Sequence, residues 1–162
     1  MQDRFIFNAI VTGYYDIDTP DEYKEVEPQI YLENVDLFSD EIGIDYDRLL
    51  DAVQKQLNLE KPEISQVMQH FEDNSNAISE EYVTIKPDKI LQCTGLKDKN
   101  GKLIYEGDIV KHSKSNQQYK VQWNDKGFWQ LDDYAMARSS KFLEENYEVI
   151  GNIYQNHELL ED

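Results

Sequence analysis

Residues 91–110, LQCTGLKDKNGKLIYEGDIV, constrain the fold more than any other segment, because three glycines and two tight-turn signals stand between short apolar runs. Neither one helix nor one long strand accommodates reversals this closely spaced. Asn100-Gly101 predicts a two-residue type I′ hairpin turn, whose central residues both need the positive φ that asparagine and glycine tolerate. Glu106-Gly107-Asp108 predicts a second tight corner, with Asp108 stabilising it. Gly95, Asn100, Gly101, Gly107 and Asp108 are therefore expected as an architectural turn motif.

The flanking segments supply the strands that such turns connect. Tyr119, Val121 and Trp123 alternate with Lys120 and Gln122, as a half-buried strand requires, so these three are expected to share the core face. Short β patterns recur over residues 82–86, 89–94, 103–105, 109–110, 128–131 and 147–154, which fits a small SH3-like β-barrel. Residues 4–15 read as an opening strand bent at Gly13, residues 16–28 as an acidic loop, and residues 29–38 as a weak strand. Between residues 45 and 74 the period becomes helical. Tyr46, Leu49, Leu50, Val53 and Leu57 form one apolar stripe with Asp45 placed as its cap, and Ile64, Val67, Met68 and Phe71 form a second stripe after Pro62. The expected class is α+β, with residues 1–86 carrying strands and an inserted helical hairpin and residues 87–162 carrying the barrel.

Charge follows the same division. Residues 1–86 hold 20 acidic against 6 basic side chains, while residues 87–162 hold 13 against 10. A surface this negative repels phosphate, so general nucleic-acid binding is disfavoured. The helical hairpin could resemble a DNA reader, but it offers only Arg48, Lys55 and Lys61 among seven acids, and simple packing is expected instead. Neither the N-terminal run, interrupted by Asn8, nor any other stretch is long and apolar enough for a membrane span, and the lone Cys93 reads as a packed thiol. A soluble, cytoplasmic protein is expected.

Three blocks occur in order along the C-terminal half: TGLKDKNGK at 94–102, IYEGDIV at 104–110 and VIGNIYQNHELL at 149–160. In these the chain resembles the YopX protein family, small proteins carried by bacteriophages and prophages. It departs from the family at His157, where proline is usual, and in its opening RFIFNAIVTGYYDID. The resemblance implies a mixed β and helical phage product of the bacterial cytoplasm that forms homo-oligomers, with no agreed activity and no cofactor.

The residues themselves carry little chemistry. Asp98-Lys99-Asn100-Gly101 superficially suggests a calcium loop, but glycine stands fourth instead of sixth, and Lys102 occupies a ligand position. Glu106 and Asp108 lack a nucleophile or a third group, and His70, His112 and His157 are scattered without metal-ligand spacing, so no catalytic or metal site is predicted. Phe128, Trp129 and Tyr134 are the candidates for partner binding, since adjacent Phe128 and Trp129 must point to opposite sides of a strand. The leading expectation is a non-enzymatic, homo-oligomeric protein-interaction module that contacts a host or phage protein. Two alternatives stand beside it. One is an acidic DNA mimic that occupies a host nuclease or DNA-binding protein. The other is nucleic-acid binding through the lysines of the barrel, Lys97, Lys99, Lys102, Lys111, Lys114, Lys120 and Lys126.

Overall fold

The structure, a computed structural model, describes residues 7–77, 79, 81–123, 129–131, 134–135 and 144–161. It divides into two compact units, Met1–Ile90 and Leu91–Asp162. The class is mixed α+β, with strands predominating.

In the first unit, β1 (Phe7–Thr12), β4 (Gln29–Phe38), β5 (Glu41–Asp45) and β6 (Tyr82–Ile85) form a sheet in the order β6-β5-β4-β1, and β7 (Lys89–Leu91) continues it beyond β1. The acidic segment expected as a loop is instead a hairpin of β2 (Tyr15–Thr19) and β3 (Glu22–Val26). Tyr15, Ile17 and Val26 turn inward onto the core while the acids between them face out. The strand period is thus present but diluted by charge. Thr19 and Glu22 close the turn through the Thr19 hydroxyl, which accepts the Glu22 N–H at 3.1 Å.

Helices α1 (Tyr46–Gln56) and α2 (Lys61–Asp73) cover this sheet with the predicted stripes, burying Leu49, Val53, Val67, Met68 and Phe71. Asp45 occupies the N-cap position, yet its side chain makes no capping bond. The Tyr46 N–H donates to the Glu81 carbonyl at 2.9 Å, so the residue just before β6 satisfies one of the first-turn amides that has no partner within the helix. Each helix also carries a glutamine that pairs with strand backbone. Gln56 bonds both the N–H and the carbonyl of Tyr31, at 2.8 and 2.6 Å, and Gln66 does the same for Asp16, at 2.9 and 3.3 Å. Arg48 donates to the carbonyls of Glu33 and Asn34 at 2.6 and 2.9 Å, which commits this cation to structure.

The second unit contains a hairpin of β8 (Cys93–Lys97) and β9 (Leu103–Tyr105) and a five-stranded antiparallel sheet. The sheet consists of β10 (Asp108–His112), β11 (Gln118–Trp123), β12 (Trp129–Leu131), β13 (Tyr134–Ala135) and β14 (Tyr147–Asn152), in the order β13-β12-β11-β10-β14. Ile104, Val110, Val121, Leu131 and Tyr147 form its core. Where an SH3-like barrel was expected, the second unit has this antiparallel sheet of short strands and the separate β8–β9 hairpin. Among the described residues β13 and β14 remain the two edges, and the strands do not close a barrel.

Candidate functional site

The turn motif is organised around an aspartate that sequence reasoning treated only as a rejected calcium ligand. Asp98 is 2% exposed, and its carboxylate accepts three backbone N–H groups at 2.9 Å, from Asn100 and Lys102 through Oδ1 and from Val149 through Oδ2. A buried carboxylate is tolerated when its lone pairs are filled in this way. The first two bonds shape the loop, and the third reaches the outer edge of β14. The Lys99 N–H adds a bond to the Tyr147 carbonyl at 2.8 Å, and Lys99 Nζ lies 2.9 Å from Glu148 Oε2. Glu148 is held below its ordinary pKa by the hydrogen bond from Lys99 and then by that ammonium's charge.

Asn100 does not adopt the positive φ expected of a type I′ turn; only Gly101 does, at +79°. The Gly101 N–H bonds the Asp98 carbonyl at 3.0 Å, and the Asp98 N–H bonds the Lys102 carbonyl at 2.8 Å. This is the pattern of a three-residue hairpin loop, in which an ordinary turn is followed by a left-handed glycine. The Asp98 side chain favours it by bonding the amide two residues ahead, as aspartates at turn starts do. The signal was available as an aspartate three positions before the glycine.

The other motif residues occupy distinct places. Gly95, at φ +76°, lies within β8 with open space around it. Gly107, at φ +85°, has a further requirement, since a Cβ there would approach Tyr154 to 2.8 Å. Its N–H and carbonyl tie the corner to the Val121 carbonyl and the Ile153 N–H, each at 2.9 Å. Buried Asp108 accepts the Tyr105 N–H at 2.8 Å. Sequence reading extended β14 to Tyr154, but it stops at Asn152. There the Asn152 Oδ1 atom accepts the Tyr154 and Gln155 N–H groups, both at 3.0 Å, and turns the chain.

The aromatic candidates separate. Phe128 lies outside the described residues, and Tyr134 pairs with Leu131 at the backbone of the sheet edge. Trp129 is half-buried against the second core and faces Trp123 across β11 and β12, with the rings edge-to-face at 4.6 Å. Val121 meets the core expectation, but Trp123 corrects it, being 50% exposed near the end of β11. Strand alternation assigned it a face but did not place the end of that face outside the core. The exposed member of the pair is therefore a residue that sequence reading placed inside.

In the first unit, the outer face of the β2–β3 hairpin carries Asp16 directly opposite Glu25 and Asp18 opposite Tyr23. The hydroxyls of Tyr14 and Tyr23 donate to Glu25 Oε1 at 3.3 and 3.1 Å. The Tyr23 phenol is pushed up to about 12 by that bond and by the Glu25 charge. Among the described residues no group of three or more His, Cys, Asp or Glu side chains could hold a metal ion. No helix of these residues is long and apolar enough to cross a membrane.

Comparison with known proteins agrees with the motif blocks. A family model described as YopX protein matches residues 47–161. Among solved structures, the chain is similar to the crystal structure of protein EF1440 from Enterococcus faecalis. The identity is 21%, the alignment covers 94% of this chain and 79% of that one, and the TM-score is 0.39. No curated protein matches.

Proposed function

The chain belongs to the YopX protein family, and from that premise we propose that it is a phage-type accessory protein that acts by contact with other proteins, further copies of itself included, and not by catalysis. The observation that supports this reading is the Trp123–Trp129 pair. A tryptophan half exposed to water and set edge-to-face against a second aromatic is the kind of residue that anchors interfaces, where its large apolar area is covered by a partner. We take the second unit for an opened SH3-like sheet that presents this pair, and the bacterial cytoplasm for its place of work. The test is the mass of the full chain in solution, by light scattering over a concentration series. More than one copy is expected for the native chain, with Trp123→Ala shifting the mass toward a single copy while its melting transition stays in place. A native chain that remains a single copy throughout would remove self-association from the proposal.

A DNA mimic is the second reading, supported by the hairpin of the first unit. Asp16 facing Glu25 is a like-charge cross-strand pair, an arrangement that lowers stability and needs a reason. Carboxylates projecting from both strands of a two-stranded ribbon imitate two phosphate rows better than dispersed surface acids do. Competition with duplex DNA for a DNA-binding protein of the host tests it, and an unchanged competitor curve for Asp16→Asn with Glu25→Gln would end it.

A further inference from the structure

The β2–β3 hairpin of the first unit has two outer edges, and only one of them is closed. On the β2 side, Gln66 bonds both the N–H and the carbonyl of Asp16, at 2.9 and 3.3 Å, so these groups point away from β3. In an antiparallel ladder, residues that face each other turn their backbone groups either toward one another or both outward. Glu25 faces Asp16, and Tyr23 faces Asp18 two positions along, so both present an N–H and a carbonyl on the far side of β3. Among the described residues the sheet ends there, and none of them bonds those groups. β3 is exposed at every position but Val26, with Tyr23 62% exposed.

The side chains beside this edge select what it accepts. Asp16, Asp18, Tyr23 and Glu25 share one face of the hairpin, while Ile17 and Lys24 lie on the other. Pairs of the outward kind bring side chains closest, so Asp16 and Glu25 repel across a short gap, and among the described residues no cation pairs with either. The hydroxyls of Tyr14 and Tyr23 both fall on Glu25 Oε1, which leaves Oε2 to a further donor. A second copy of β3 would set the same acids against each other, in a region, residues 1–86, that already holds 20 acids against 6 bases.

We infer that β3 accepts an added strand from a partner protein, an extended segment with basic residues at alternate positions. The partner residues set opposite Tyr23 and Glu25 exchange backbone hydrogen bonds with them and lay their side chains on the carboxylate face, where Lys or Arg balances Asp16, Asp18 and Glu25. The residue between them points to the Lys24 side and carries no positive charge. Acids at a sheet edge ordinarily discourage pairing. Here they discourage a like strand and attract a cationic one, whose register the backbone bonds fix. The inference deepens the reading of this chain as a protein-contact module but uses a surface other than the tryptophan pair. A chain that stays a single copy leaves it intact, and a peptide that fails to bind leaves self-association intact.

The test follows amide hydrogen exchange of the full chain by NMR with three peptides: acetyl-Val-Lys-Thr-Lys-Val-amide, the same peptide N-methylated at both lysines, and its counterpart with glutamates for lysines. Without peptide, the Tyr23 and Glu25 amides should exchange fast and that of Lys24, which pairs with Ile17, slowly. At about ten times its Kd the lysine peptide should slow exchange at Tyr23 and Glu25 by about tenfold and leave Lys24 unchanged. The methylated and glutamate peptides should not slow it. Asp16→Asn with Glu25→Gln should weaken binding by roughly threefold to tenfold, and salt should weaken it in the native chain. Equal binding of the methylated peptide would reduce the contact to charge alone and overturn the added strand, as would a lack of protection at Tyr23 and Glu25. Protection that appears without peptide as the chain is concentrated would assign the edge to a second copy and overturn the basic partner. The contrast among the peptides on the native chain decides the matter even if the double variant alters folding.

Discussion

Each unit has a sheet edge blocked by a side-chain oxygen, and the two blocks differ in kind. In the first unit, the edge strand β6 gives its Thr84 N–H to the Ser75 hydroxyl, a half-buried neutral group that also accepts the Ala77 N–H at 3.1 Å. In the second, β14 gives its Val149 N–H to the buried Asp98 carboxylate. Open edges invite pairing with other chains, so both arrangements satisfy donors that would otherwise recruit a strand. A half-buried hydroxyl lies where water can replace it. A buried carboxylate holding three N–H groups cannot be replaced by water and shapes its own loop besides. The turn motif of the second unit is thus an edge closure, and its conspicuous glycine serves the less conspicuous aspartate.

The largest effect is expected at Asp98. Asp98→Ala leaves three N–H groups without their acceptor and should destabilise the second unit by roughly 3 kcal/mol or more, with Asp98→Asn recovering only part of the loss. Both tryptophans of the chain lie in the second unit and, among the described residues, both long helices lie in the first, so tryptophan fluorescence and helical circular dichroism report the units separately. Urea unfolding of Asp98→Ala should move the fluorescence transition and leave the helical one nearly unchanged. Coincident shifts of both would show that the comparison between independent edges is wrong.

Gly101→Ala should rank next, at about 1–2 kcal/mol on the same fluorescence transition, because the left-handed backbone penalises a Cβ although open space surrounds it. Ser75→Ala should cost about 1 kcal/mol, read this time by the helical signal, since water can reach the freed Thr84 N–H. A Ser75→Ala loss equal to that of Asp98→Ala would erase the distinction drawn between a neutral and a charged block.

What was legible in the sequence was what neighbouring residues settle between themselves. The two helical stripes, the alternation around Val121 and the positive φ of Gly95, Gly101 and Gly107 are all of this kind. The role of Asp98 was not legible, because Val149 lies 51 residues away and only the folded sheet brings its N–H into reach. The β2–β3 hairpin was misread for a different reason. Its outward positions are acids, and Ile17 with Val26 formed too sparse an apolar pattern to outweigh them until their packing against the core was seen. Trp123 shows the limit of alternation, which assigns a side chain to a face without saying where the core ends.

The smallest expected effect refines the account of the β14 edge. The Lys99 ammonium and the Glu148 carboxylate are both partly exposed, so their pairing is screened by water and salt. Because the folded state lowers the Glu148 pKa, the pair stabilises at pH values above the ordinary glutamate value of 4.5, and its contribution is lost as the pH falls through the lower folded value. Lys99→Ala should therefore shift the fluorescence transition slightly at neutral pH and low salt. The shift should disappear in high salt and again in acid below the glutamate range. The Lys99 backbone N–H keeps its bond to the Tyr147 carbonyl in this variant, so only the charge is removed. A loss as large as that of Asp98→Ala, or one that persists in acid, would mean that the surface ion pair and not the buried carboxylate holds the loop against β14.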